Sequence, residues 1–223
     1  ILLPSHIVKQ NVFHKPENIT FEEAAFLEPL SCVVHGIEPL SIKKGDNAFV
    51  IGAGPIGLLH LLLLKDKGVL VTIVDKHRKK LKVAKELGAD FVYKLSTPPR
   101  PPLSKRGSRG GVGFDYVIEC TGRPEVWESS VDYVRRGGTV ILFGGCKSGT
   151  KVTYDADRLH YNEITLKGAF HYTTSDVKKA YELLCKRKLN VSKLISGRYP
   201  LTKIQKAFEK LIKGEGIKYA IIP

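Results

Sequence analysis

The chain has 223 residues, 43% of them hydrophobic and 26% charged. That balance suits a globular fold large enough to bury its own core without disulfides or a structural metal. Its 36 Lys and Arg against 22 Asp and Glu leave a formal net charge of +14, which favours anionic partners. The cations are spread along the chain, with clusters at 76–80 and 105–109, and no aromatic-interleaved basic motif accompanies them. A solvated basic surface that attracts an anionic cofactor is therefore predicted, with no nucleic-acid partner.

Cys32, Cys120, Cys146 and Cys185 include no C-x-x-C pair, which excludes a zinc ribbon and a thioredoxin motif. Free, buried thiols in a reducing compartment are the expectation. The leucine-rich stretch 58–64 is too short to span a bilayer and contains His60, and no signal-peptide pattern is present. A cytoplasmic protein with no membrane partner is expected. Methionine is absent, and the chain opens on Ile1; a processed chain, an excised domain or an incomplete product is expected.

Residues 1–20 carry Pro4 and Pro16 and predict an irregular approach. Thr20 with Glu23 three positions on is a capping-box pattern, so a helix starts there. Pro29 is expected to interrupt it, with a second helical piece over 30–37. Short apolar runs predict buried strands at 48–51, 69–74, 91–93, 114–118, 139–143 and 164–170. Between them, helices are predicted over 56–67, 77–87 (closed by Gly88) and 125–134. Residues 96–113, with Pro98, Pro99, Pro101 and Pro102 followed by Lys105, Arg106 and Arg109, have a loop composition and could touch a phosphate. Beyond the sixth strand come a helix at 176–186, an extended piece at 195–199, a helix at 204–213 and a strand at 217–222. Alternating strands and helices imply βαβ units. The fold class is α/β, a doubly wound six-stranded parallel sheet with helices on both faces.

The chemistry-bearing motif is Gly52-Ala53-Gly54-Pro55-Ile56-Gly57. It follows a predicted strand, opens a predicted helix, and precedes an acid, Asp75, at the end of the second strand. Gly52 permits the tight turn, Gly54 lets a pyrophosphate approach the backbone, and Gly57 lets helix and strand pack closely. The helix start then supplies N–H donors and partial positive charge. A carboxylate at Asp75 accepts ribose hydroxyls and repels a 2′-phosphate. NAD is thus expected over NADP, although Lys76, His77, Arg78, Lys79 and Lys80 follow directly and could rescue the phosphorylated form.

Several further segments resemble one family: 24–32 (AAFLEPLSC), Gly45-Asp46 before the first strand, 86–90 (ELGAD), 114–122 (FDYVIECTG) and Gly137-Gly138. In this order and spacing they resemble the cofactor domain and C-terminal tail of zinc-dependent medium-chain alcohol and polyol dehydrogenases, in the sorbitol and threonine dehydrogenase branch. The resemblance implies roles by residue. Glu28 is the acid that approaches the catalytic zinc, directly or through its water. Lys80 helps to hold the adenosine ribose. Thr121 and Gly122 lie beside the adenine and its ribose, Phe143 and Gly144 near the nicotinamide, and Ala169 and Phe170 near its carboxamide; for the last two pairs a packing role is equally consistent.

The resemblance also implies a catalytic half that these residues do not contain. A barrel-like (GroES-like) domain supplies the Cys and His ligands of zinc in the family, and zinc catalysis needs three protein ligands and an open position. Cys32, His35, His60 and His171 lack convincing ligand spacing and are expected in packing or surface roles. No catalytic residue is assigned. The expected organisation is 1–30 as a connection to the catalytic domain, 31–175 as the NAD-binding domain and 176–223 as helices and a strand returning to the catalytic domain. The implied activity is hydride transfer between a small secondary alcohol or polyol and NAD, with zinc only if the other domain is supplied. The alternative is a non-catalytic NAD-binding module. A homo-oligomer through the sheet edge near 164–170 is a further expectation.

Overall fold

The computed structural model describes residues 2–95 and 113–223; the loop predicted over 96–113 lies outside the described residues except for Gly113. In chain order the elements are α1 Ser5–Asn11, α2 Phe21–Ala24, α3 Leu27–Ile37, β1 Asn47–Ile51, α4 Pro55–Asp66, β2 Leu70–Asp75, α5 Arg78–Glu86, β3 Phe91–Lys94, β4 Phe114–Glu119, α6 Pro124–Ser129, β5 Val134–Leu142, α7 Ala156–Tyr161, β6 Thr165–Gly168, α8 Thr174–Cys185, β7 Ile195–Pro200, α9 Ile204–Ile212 and β8 Lys218–Ile222.

The six-stranded sheet has the order β3-β2-β1-β4-β5-β6, and every pairing is parallel. β1 is central and buried along its whole length, because parallel strands with covered faces must be apolar on both. Alternation divides its side chains between two cores. Ala48 and Val50 join a cluster with Leu30, Val33 and Val34 of α3, the leucines of α4, Leu81 of α5 and Leu183 of α8. Phe49 and Ile51 join the opposite cluster with Val126, Val131 and Val140. The first cluster continues into Leu189, Val191, Leu194 and Ile217, so the C-terminal residues share the core of the sheet. β7 and β8 form a separate parallel pair.

Several local expectations are corrected. Residues 1–20 are not wholly irregular: Ser5–Asn11 is helical, starting right after Pro4 and burying no residue. Proline is compatible with a helix start because the first N–H groups have no intrahelical acceptor. Pro29 does not break a helix for the same reason. It lies in the first turn of α3, and the break falls earlier, at Ala25–Phe26. The Thr20 capping box does form: Thr20 N donates to Glu23 Oε2 at 2.8 Å and Glu23 N to Thr20 Oγ1 at 3.1 Å.

The helix expected over 125–134 ends at Ser129. A 3₁₀ turn, Ser130–Asp132, follows, and Val134 already belongs to β5. Gly137, at φ +65°, and Gly138, where a Cβ would lie 2.5 Å from Val134 Cγ2, let β5 fold over itself. The β4–β5 register accordingly slips from Phe114↔Val134 to Tyr116↔Thr139. At this end of the sheet, Arg135 Nε donates to buried Asp115 Oδ1 at 2.6 Å, and Asn47 N to its Oδ2 at 2.9 Å. The four cysteines are free, as expected, but half-buried rather than buried. Among the described residues, no helix is long and apolar enough to cross a membrane.

Candidate functional site: the carboxyl edge of the sheet

The strand order reverses direction at β1, whose neighbours are β2 on one side and β4 on the other. The chain leaves the two strands β1 and β4 toward opposite sides, and a crevice opens at their carboxyl ends. The loop 52–57 runs along its floor. Gly52 is at φ +107°, and a Cβ on Gly57 would lie 1.8 Å from Gly52 O, so that turn and the approach of α4 to β1 admit glycine only. Gly54 differs: a Cβ there would meet nothing within 4 Å. It is the N-cap of α4 and makes no side-chain cap bond; Pro55 follows at the first helical position. The helix thus starts with uncapped N–H groups and positive partial charge facing open space.

A cleft of about 260 Å³ lies beside that helix start, with Gly52, Gly54, Asp75, Lys80 and Thr121 in its wall. Lys76, His77 and Arg123 also line it, so one acid is set among four basic side chains. Asp75 Oδ2 accepts the Ala53 N–H at 2.8 Å, and Oδ1 accepts the His77 N–H at 2.7 Å and faces His77 Nδ1 at 2.9 Å. Asp75 therefore holds the glycine loop to the end of β2 while bordering the cleft. Lys76 and His77 belong to the basic run expected beside Asp75; Arg123 was not singled out from sequence. Nor was Glu119, the last residue of β4, fully buried and lying beneath Thr121 and Gly122. Its position levels with Ile51 in the β1–β4 register, as Val74 does on the other side; an acid at the carboxyl end of a strand beside the glycine loop was the available signal.

Phe143 and Gly144 follow β5 directly, and Ala169 and Phe170 follow β6. The Phe143 ring meets the His60 ring edge-on at 4.7 Å, and a Cβ on Gly36 of α3 would lie 3.4 Å from Phe143 and 3.5 Å from Ala169. Both side chains thus pack against α3. Phe170 is 82% exposed, its ring against that of His171 at 3.9 Å. His171 has φ 58°, in the left-handed region. Ile56, in the first turn of α4, packs against the main core.

Glu28 is exposed in the first turn of α3. It lines a second cleft of about 470 Å³ with Ala24, Leu27, Ser31 and Thr173. Cys32 Sγ lies 3.5 Å from Glu28 Oε1. Burial, with the Glu28 carboxylate beside it, pushes the Cys32 thiol up to about 11. His35, one turn on, is engaged with Asp176 at 2.9 Å. Among the described residues no three His, Cys, Asp or Glu side chains converge as a metal site. The donors present do not fit a zinc centre by themselves.

Residues 55–186 match the family model described as zinc-binding dehydrogenase. Sorbitol dehydrogenase from Gallus gallus is 34% identical over 205 residues, covering 91% of this chain and 57% of the relative. Sorbitol dehydrogenase from Ovis aries is 36% identical over 211 residues, covering 92% and 58%. Among solved structures, a protein from Sinorhizobium meliloti 1021, described as a zinc-binding dehydrogenase and bound to NADP, superposes with a TM-score of 0.82 at 27% identity over 95% of this chain and 62% of that one. The chain spans less than two thirds of each of these proteins.

Proposed function

Because the chain belongs to the zinc-binding dehydrogenase family, we infer that the cleft at the carboxyl edge of its sheet binds a nicotinamide dinucleotide, NAD(H) in preference to NADP(H). The observation that carries this reading is the contrast between Gly57, which has no room for a Cβ, and Gly54, which faces empty space at the uncapped start of α4. The backbone of Gly52, Gly54, Pro55, Ile56 and Gly57 would cradle the pyrophosphate. Asp75 and Lys80 would hold the adenosine ribose, with Thr121 and Gly122 beside the adenine. Phe143, Gly144, Ala169 and Phe170 would border the nicotinamide end. When bound, the dinucleotide accepts or gives a hydride at its nicotinamide ring, while the protein binds and orients it.

For a longer protein that contains this part, we propose oxidation of a small secondary alcohol or polyol, with residues 1–30 and 176–223 linked to the domain that holds the zinc and the 31–175 region holding the dinucleotide. Glu28 would face that zinc from this side. β6, an edge strand beside exposed Phe170, would be the self-association surface. For the 223 residues alone, the lone Glu28 carboxylate favours the second reading, a dinucleotide-binding module without turnover.

The test is titration of the purified chain with NADH and NADPH, followed by calorimetry. Saturable binding with NADH the tighter ligand is the expected result. Binding of neither would overturn the cofactor reading; tighter NADPH binding would overturn the selectivity.

A further inference from the structure

We propose that Glu119 is the positioning residue of the dinucleotide cleft, holding the loop after β4 and the loop after β5 in one rigid frame. The inference rests on the cofactor reading above and adds a residue that does not itself touch the cofactor.

The bonds converge on one buried residue, through its carboxylate and its backbone oxygen. Glu119 Oε1 accepts the Thr121 N–H at 2.6 Å and also the Thr121 hydroxyl. The Gly122 N–H is shared between Oε1 and Oε2, each at 3.2 Å. The backbone oxygen of the same residue accepts the Phe143 N–H at 3.0 Å and the Gly144 N–H at 2.9 Å. Side chain and main chain of Glu119 thus take four backbone N–H groups from the two loops, as well as a hydroxyl. The loops also interlock directly. A Cβ on Gly144 would lie 2.3 Å from Gly122 N and 2.8 Å from Glu119 Oε2, and one on Gly122 would lie 2.5 Å from Gly145 O. Trp127 Nε1 closes the frame by donating to Gly144 O at 2.8 Å.

Burial raises the Glu119 carboxyl above the ordinary carboxylate range, against the pull of these N–H bonds. A group kept in such an environment needs all its partners, since an unpaired buried donor or acceptor is penalised. An amide in its place has one acceptor oxygen and an NH₂ that can accept nothing. Glu119→Gln keeps the acceptor at Oε1 but sets an NH₂ donor against the Gly122 N–H that Oε2 shares and removes the charge that strengthens the bonds from Thr121, so the wall containing Thr121 loses its fixed position.

Trp127, the only tryptophan, reports on this frame. The experiment compares the full wild-type chain with Glu119→Gln by urea unfolding, Trp127 emission and quenching of that emission by NADH. The expected result is a cooperatively folded variant with shifted Trp127 emission and NADH affinity weakened on the order of tenfold. Thr121→Val, which removes only the hydroxyl donor, gives a smaller loss. A folded Glu119→Gln with wild-type emission and wild-type affinity overturns the proposal, because a purely structural residue changes the unfolding midpoint alone. If Glu119→Gln does not fold, Glu119→Asp carries the test: it keeps the charge but not the reach, so shifted emission and weaker binding support the frame, and wild-type values overturn it. A wild-type chain that binds neither NADH nor NADPH overturns the cofactor reading instead. Emission of the variant then decides the positioning role: a shift supports it, and no shift overturns it.

Discussion

Asp75 and His77 are joined twice, through the His77 N–H at 2.7 Å and through its Nδ1 at 2.9 Å, both to Oδ1 of Asp75. The other oxygen takes the Ala53 N–H at 2.8 Å. The acid that ends β2 is thus held in place by the glycine loop and by the residue that precedes α5. A carboxylate oxygen has two lone-pair directions, so Oδ2, with one internal bond, retains capacity toward the cleft.

Asp75→Ala is expected to weaken NADH binding on the order of tenfold, since hydrogen bonds to a charged group contribute about 1.5–3 kcal/mol. Loss of the negative charge, with Lys76, His77, Lys80 and Arg123 left around the cleft, should also narrow the gap between NADH and NADPH. Parallel titrations of both dinucleotides against both proteins measure this. An NADH-to-NADPH affinity ratio unchanged by the substitution removes Asp75 from the site.

The glycine loop yields a paired prediction that separates folding from binding. Gly57→Ala places a methyl 1.8 Å from a backbone oxygen that no rotamer change can move. Overpacking of this kind destabilises by about 1–3 kcal/mol or more, and the chain should unfold at a lower urea concentration. Gly54→Ala meets nothing within 4 Å, at φ −75° and ψ −177°, a conformation alanine adopts. It should keep the wild-type urea midpoint while losing on the order of tenfold or more in NADH affinity, because the methyl stands where a pyrophosphate must approach. Wild-type binding by a folded Gly54→Ala chain would place the phosphates elsewhere.

Legibility of the fold followed the physics of each signal. The third glycine of the loop and the Thr20–Glu23 box were readable because each is a local geometric demand met within a few residues. Strand positions were readable because a sheet covered on both faces needs apolar runs. α7 was missed: it buries no residue, so its sequence carries no helical period. β5 was shortened in the sequence reading because Arg135, Arg136, Gly137 and Gly138 look like a helix end, whereas the pairing of Val134 with Phe114 depends on a partner 20 positions away in the chain. Glu119 escaped notice as part of the site for a similar reason. An acid closing an apolar strand reads as solvent-facing until the loop beyond it folds back over the carboxylate.

His60 gives a pH-dependent prediction. It lies on α4, fully buried, with Nδ1 3.0 Å from Ile56 O and 3.8 Å from Cys120 Sγ, and with no partner for Nε2 among the described residues. Burial pushes its pKa down to about 4 from an ordinary 6.5. Between those values the unfolded chain binds a proton that the folded chain refuses, so stability falls as pH drops from 6.5 toward 4. At 1.36 kcal/mol per unit, the full loss is about 3 kcal/mol. Glu119, raised by burial, acts with the opposite sign and gains stability as it is protonated, so a difference measurement is needed. His60→Leu places an apolar side chain beside the Phe143 ring and removes the nitrogen that has no partner among the described residues. In urea unfolding at pH 7, 5.5 and 4.5, the variant should lose less stability than the wild type at each step down, the gap widening by about 2–3 kcal/mol over the range. Equal slopes for the two proteins would mean that the imidazole is protonated in the fold or reaches water there.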